Sequence, residues 1–164
     1  MGQEVAETDQ LTVLEIPRGM YPSRVDDRGR LKLPMRFQEY FNKLVEKTIF
    51  ITSLDRKVAR IYPIATWRQN EAFFEKYLDN PKLSRRAAFI ANELGEECEM
   101  DAQGRVSLST DLRKELGLVD KPVKIYSHMG GIDVLNEETF QALRDDSLTL
   151  DTTGLDELRR AGLK

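Results

Sequence analysis

The sequence predicts an α+β fold: two tandem β-hairpin/barrel modules packed against each other as an intramolecular pseudo-dimer, joined by a helical linker. Three observations predict it. Residues 25–33 read VDDRGRLKL and residues 100–108 read MDAQGRVSL, so both fit apolar-D-x-x-G-R-apolar-x-Leu. The match continues downstream, pairing Phe37 and Phe41 with Leu112 and Leu116, then Lys47, Ile49, Ile51 and Ser53 with Lys121, Val123, Ile125 and Ser127. After a one-residue slip, Ile61 matches Val134 and Trp67 matches Phe140. A self-similar chain is read first as repeated supersecondary units. A unit this small buries too little surface to stand alone, which is why the copies are expected to pack together and to associate further.

The elements follow in order. A strand ends at Val25, the chain turns over Asp26–Gly29, and a second strand covers Arg30–Leu33. Pro34 suits the first turn of a helix, where Phe37, Tyr40, Phe41 and Leu44 recur at helical spacing. Strands are expected over Thr48–Thr52 and Val58–Tyr62. In the second copy Ser109, Thr110 or Asp111 can cap a short helix ending at Gly117. Strands follow near Val123–Tyr126 and Ile132–Leu135, with Gly130-Gly131 as their turn. Between the copies, Trp67 to Tyr77 is amphipathic, Asn80-Pro81 breaks the helix, and Ser84 to Leu94 forms another that ends at Gly95. The organisation is an N-terminal extension over 1–19, a first module over 20–67, a helical linker over 68–94, a second module over 95–140 and a polar tail over 141–164, with a last helix from Leu155.

Composition bounds the function. The 164 residues are 40% hydrophobic and 32% charged, which is a globular balance. No stretch is long and apolar enough for a membrane span, and the acidic start MGQEVAETDQ lacks a signal-peptide pattern. The sole cysteine, Cys98, cannot form an internal disulfide and points to a reducing, cytoplasmic setting. It lies in an alternating apolar stretch and reads as packing. The lone histidine, His128, leaves no partner for a metal cluster, so neither metal nor cofactor is expected. Asp26-Asp27 is an adjacent carboxylate pair without a His, Lys or oxyanion partner, and no enzyme is expected. Trp67 reads as a helix-face core anchor. Arg85-Arg86 reads as an exposed helix face, a DNA contact or an interface.

The net charge of −3 does not favour a nucleic-acid partner, but its distribution does. Arg24, Arg28, Arg30, Lys32 and Arg36 face only Asp26 and Asp27 over residues 24–36, and such a patch can hold phosphate. In the turns, Gly29 and Gly104 can take positive φ, and Asp26 and Asp101 can accept from backbone N–H groups. That rigid mount places Arg30 and Arg105 on the outgoing strands. Alternation sends Leu31, Leu33, Val106 and Leu108 inward and Arg30, Lys32, Arg105 and Ser107 outward. A guanidinium there suits a phosphate or the O6/N7 edge of guanine. The same Asp and Arg could equally form a salt bridge that only stiffens the hairpin. Arg24, Arg28, Arg30, Lys32 and Arg105 are the candidate DNA-binding residues, and Asp26, Gly29, Asp101 and Gly104 their turn-forming support. Gln103 and Ser107 replace Arg28 and Lys32, so the first copy is expected to add more electrostatic affinity.

These residues resemble the MraZ family, within the wider SpoVT-AbrB superfamily, over roughly residues 17–140. The resemblance rests on Pro17-Arg18-Gly19 followed by Val25 to Phe37, on Ile61-Tyr62-Pro63 with Trp67, and on Arg85-Arg86 and Phe89, then Glu97 to Arg105, as the link into the second D-x-x-G-R. One departure is Ser109, where the family usually has Pro. The resemblance implies SpoVT-AbrB modules and a bacterial transcription regulator of the nucleoid. It implies binding to double-stranded DNA at repeated short promoter elements upstream of the division and cell-wall gene cluster, and assembly into a ring-like homo-oligomer. It implies that Arg30 and Arg105 contact DNA. The alternative is an oligomeric protein-interaction module, antitoxin-like, without sequence-specific DNA recognition.

Overall fold

A computed structural model describes residues 14–164; the leading part of the expected N-terminal extension lies outside the described residues. Among the described residues the chain is α+β, with eight strands and six helices. β1 (Met20–Val25) and β2 (Arg30–Lys32) form the first hairpin and precede α1 (Met35–Lys43). β3 (Ile49–Thr52) and β4 (Ala59–Pro63) lead into α2 (Ile64–Lys76) and α3 (Pro81–Leu94). The second half runs through β5 (Glu96–Cys98), β6 (Arg105–Ser107), α4 (Thr110–Leu116), β7 (Lys121–His128) and β8 (Gly131–Leu135) to α5 (Glu137–Ser147) and α6 (Thr152–Ala161).

The strands make one antiparallel sheet, ordered β5-β3-β4-β8-β7-β1-β2-β6, that curls into a nearly closed barrel. The order alternates between the two halves of the chain. β1 pairs with β7 and not with β3 (Val25 opposite Lys121, Met20 opposite Tyr126), while β5 pairs with β3 (Cys98 opposite Ile49). β2 lies against β6, with Leu31 opposite Val106. β4 lies against β8, with Ile61 opposite Ile132. One core therefore draws on both halves: Val25, Leu31, Phe37, Ile51 and Ile61 pack with Val106, Leu112, Ile125 and Val134, all essentially fully buried. A second, smaller cluster of Phe50, Tyr62, Ile64, Trp67 and Ala91 sits between the sheet and helices α2 and α3. Trp67 stacks within it, 4.7 Å from Phe50 and 5.1 Å from Tyr62 between ring centroids.

The helical boundaries differ from expectation in physically clear ways. Asn80-Pro81 starts α3 as well as ending the preceding turn, because the Asn80 side chain accepts from Leu83 N–H and Pro81 occupies the first helical position. α2 begins at Ile64, directly after β4, without a loop. Two capped helices run from the end of the second module through the tail: the Asn136 side chain accepts from Thr139 N–H, and Asp151 accepts from Gly154 N–H. Ser109 caps α4 by accepting from Leu112 N–H, while its hydroxyl donates to the Leu94 carbonyl. α4 ends at Gly117 with φ of 61°, a left-handed cap. Cys98 is half-buried against the core, and burial pushes its thiol up. No helix of the described residues is long and apolar enough to cross a membrane.

A candidate nucleic-acid interface on paired hairpins

The two D-x-x-G-R turns have one geometry. In the first, Asp26 Oδ1 accepts from the backbone N–H of Arg28 at 2.9 Å and of Arg30 at 2.8 Å. Its other oxygen, Oδ2, accepts from Arg30 Nε at 2.8 Å. In the second, Asp101 Oδ1 accepts from the N–H of Gln103 and Arg105, both at 2.9 Å, and Oδ2 accepts from Arg105 Nε at 2.8 Å. Each carboxylate thus holds its turn and its arginine together. The backbone N–H of the arginine is the main cause that holds both carboxyls below the usual aspartate range. Gly29 and Gly104 take φ of 76° and 75°, where an L side chain is strained.

The stiffening salt bridge considered from sequence is present in both copies, and it does not consume the arginines. The pairs keep side-chain exposures near 30% (31% for Arg30 and 28% for Arg105), so neither guanidinium is sunk in the interior. Only Nε is engaged by the aspartate. Among the described residues no partner meets the two η nitrogens of Arg30, and Arg105 Nη2 has a single long contact, 3.4 Å from Gln103 Oε1. The terminal fork keeps its hydrogen-bonding capacity.

The pairing of β2 with β6 gathers these groups. Arg30 lies opposite Ser107 and Lys32 opposite Arg105, so Arg30, Lys32 and Arg105 share the face away from buried Leu31 and Val106. Two further bonds lock the ribbon: Leu33 N–H donates to the Gly104 carbonyl and Leu108 N–H to the Gly29 carbonyl, each at 2.9 Å. The other candidates divide. Arg28 is exposed at the tip of the first turn and has no partner among the described residues. Lys32 donates through Nζ to the carbonyl of Gln103, so it reaches across to the second turn. Arg24 turns aside, donating to the Asp120 carbonyl and carboxylate, both at 3.0 Å. Arg85 and Arg86 are exposed on α3 beside Phe89, and His128 is exposed at the β7–β8 turn.

Two participants escaped the sequence reading. Arg113, on α4, packs over the first turn, so closely that a Cβ on Gly29 would lie 2.2 Å from its side chain. Gln38, on α1, covers the second turn in the same way, 2.1 Å from a Cβ on Gly104. Each helix covers the turn of the other half, and only the repeat offset that equates Gln38 with Arg113 could have signalled it. The third omission is structural. Arg60 and Asp133 face each other across β4 and β8, with Nε 2.6 Å from Oδ1 and side chains only 16% and 7% exposed. Burial pushes the Asp133 carboxyl up, against the pull of Arg60.

Comparison with known proteins finds relatives in one family. A family model described as "MraZ protein, putative antitoxin-like" matches residues 95–151. A "Transcriptional regulator MraZ" from Acidobacterium capsulatum is 37% identical over 124 residues, covering 76% of this chain and 84% of that protein. The same name belongs to a Koribacter versatilis protein, 37% identical over 98 residues (59% of this chain, 67% of that one). It belongs also to a Serratia proteamaculans protein, 29% identical over 131 residues (79% and 86%).

Proposed function

The chain belongs to the MraZ family, and from that premise we propose that it is a sequence-specific DNA-binding transcription regulator whose two D-x-x-G-R hairpins form the contact surface. The observation that carries this reading is the β2–β6 pairing, which puts Arg30, Lys32 and Arg105 on one exposed face. Two antiparallel strands fit the major groove, and an arginine presented end-on by its η nitrogens matches the O6/N7 edge of guanine. The aspartate clamp sets that presentation before DNA arrives, so little side-chain entropy is lost on binding. Arg28 and Arg113 supply phosphate neutralisation around the first turn.

In this reading residues 20–67 and 95–140 are two SpoVT-AbrB modules forming an intramolecular pseudo-dimer. The exchange of strands supports it: β1 pairs within the second half as β5 pairs within the first, and the register of each is that of the other shifted by the repeat. Residues 1–19, 68–94 and 141–164 are the extension, linker and tail. One pseudo-dimer offers few cations on an acidic chain, so the protein works as a ring-like homo-oligomer on repeated promoter elements, those upstream of the division and cell-wall genes, in the cytoplasm and on the nucleoid.

A mobility-shift assay on the DNA upstream of this gene tests the reading, comparing wild type with Arg30→Ala, Arg105→Ala and the double variant. Each single change should cost about 1–3 kcal/mol on the cognate sequence and relax specificity. Undiminished binding by a folded double variant removes the site. Absence of any retention at low salt by the wild type removes the DNA reading and favours the partner-binding module.

A further inference from the structure

The structure repeats further than the hairpins, and one half of the repeat is left uncovered. Under the sequence correspondence, Phe50, Tyr62, Ile64 and Trp67 match Lys124, Leu135, Glu137 and Phe140. The first four, with Ala91, make up the second apolar cluster; the last four line a surface groove with Val123 and Gln141. That cluster is closed by α3, which buries Ser84, Ala91 and Leu94 and is fastened by Thr52 Oγ1 donating to the Ala91 carbonyl at 2.7 Å. The groove has no such cover: Phe140 is half-buried and no residue of α6 lines it.

α6 is the counterpart of α3. Each follows an exit helix (α2 or α5) after four residues, 77–80 in one case and 148–151 in the other, and each is capped by a side chain that accepts from the N–H three residues on. α3 runs on into β5, whereas α6 is the last element among the described residues. α6 buries none of its residues, yet Leu155, Leu158 and Ala161 fall on one stripe at helical spacing. The connection is a hydrogen-bonded turn: Leu148 N–H donates to the Arg144 carbonyl and Leu150 N–H to the Ser147 carbonyl. That turn carries α6 away from its own groove.

We propose that α6 of a second copy of this chain occupies the groove of the first, doing in trans what α3 does in cis. This rests on the self-association reading above and names its surface. A helix and its seat that are complementary but separated within one chain are the condition for exchange between copies. Charge fixes the direction. The α6 stripe is flanked by Glu157 on one edge and Arg159 on the other. The groove is walled by Lys124 on β7 and by Glu137 on α5. One orientation of the helix pairs Glu157 with Lys124 and Arg159 with Glu137; the reverse sets like charges together.

The test uses the full chain, weighed in solution by light scattering across a concentration series, with circular dichroism to verify folding. Leu155→Glu/Leu158→Glu changes no buried position and should weaken association roughly a hundredfold, toward single 18.9 kDa chains. Lys124→Glu should weaken it and Glu157→Lys in the same chain should restore it. In a Cys98→Ser background, chains with Phe140→Cys mixed with chains carrying Leu158→Cys should give disulfide-linked dimers. A chain carrying both cysteines that closes on itself as a monomer would overturn the proposal, as would an assembly indifferent to Leu155→Glu/Leu158→Glu or a wild type that stays monomeric. Loss of DNA binding by Arg30→Ala/Arg105→Ala with assembly intact separates the two claims: failure of that double variant to affect DNA strikes the hairpins alone.

Discussion

The first and second D-x-x-G-R turns share their backbone to within a tenth of an ångström in every bond made by the aspartate, yet they differ in the charge around them. The turn is dictated by three residue types, and all three occur twice. The charge is not divided as the sequence copies divide it. Lys32 belongs to the first copy and reaches the second turn, while Arg113 belongs to the second copy and covers the first. The first turn therefore collects Arg28, Arg30 and Arg113, and the second Arg105 with Lys32. Counting cations by sequence copy misassigns two of them, because strand exchange puts each helix and each second strand beside the other half's turn.

The greatest break in the symmetry lies at Arg60 and Asp133, repeat counterparts that carry opposite charges where the halves meet. Removing one partner leaves the other buried and unpaired, so Asp133→Ala should cost about 3–5 kcal/mol in denaturant unfolding. Arg60→Leu with Asp133→Leu should recover most of that loss. If Asp133→Ala is neutral, the Arg60–Asp133 pair adds nothing to the joining of the halves.

Exchanging the cations sharpens the comparison next. Arg28→Gln with Lys32→Ser gives the first copy the second's side chains, and should lower the slope of log affinity against log salt by about two. Gln103→Arg with Ser107→Lys should raise it by a similar amount. Because Lys32 serves the second turn, Lys32→Ser should weaken protection of the half-site read by Arg105 in a footprint, and Arg28→Gln that read by Arg30. A footprint weakened on the same side by both would return Lys32 to its own copy.

The glycines test the equality of the turns. Gly29→Ala and Gly104→Ala each force a left-handed L residue against a covering side chain, and each should cost about 1–2 kcal/mol by thermal melting. The smallest effect is the acid one. Asp26 and Asp101 have lowered carboxyl pKa values, so the stability they add is present at neutral pH and is lost as pH falls through those lowered values, below about 4. An Asp26→Asn variant should flatten the acid limb of the stability profile; an unchanged limb would mean that the clamp adds nothing.

Much of this was legible in the residues. Gly at positive φ, Asp as the acceptor inside the turn and the alternation of Leu31 and Leu33 with Arg30 and Lys32 are local rules, and local rules survive any tertiary arrangement. The repeat announced two units, and helical spacing marked Phe37 and Trp67 as packing positions, both buried. α6 was placed from Leu155 when it starts at Thr152, because Thr152, Thr153 and Gly154 are weak helix formers, and α5 was missed because it buries none of its residues. Only tertiary structure decided which strand pairs with which, since a strand's pattern gives its faces and not its partner. That choice sends Arg24 to Asp120, brings Arg113 and Gln38 over the opposite turns, buries Arg60 against Asp133 and sets Arg105 beside Lys32. Contacts between residues so far apart in the chain depend on where the whole barrel closes, which no window of sequence contains.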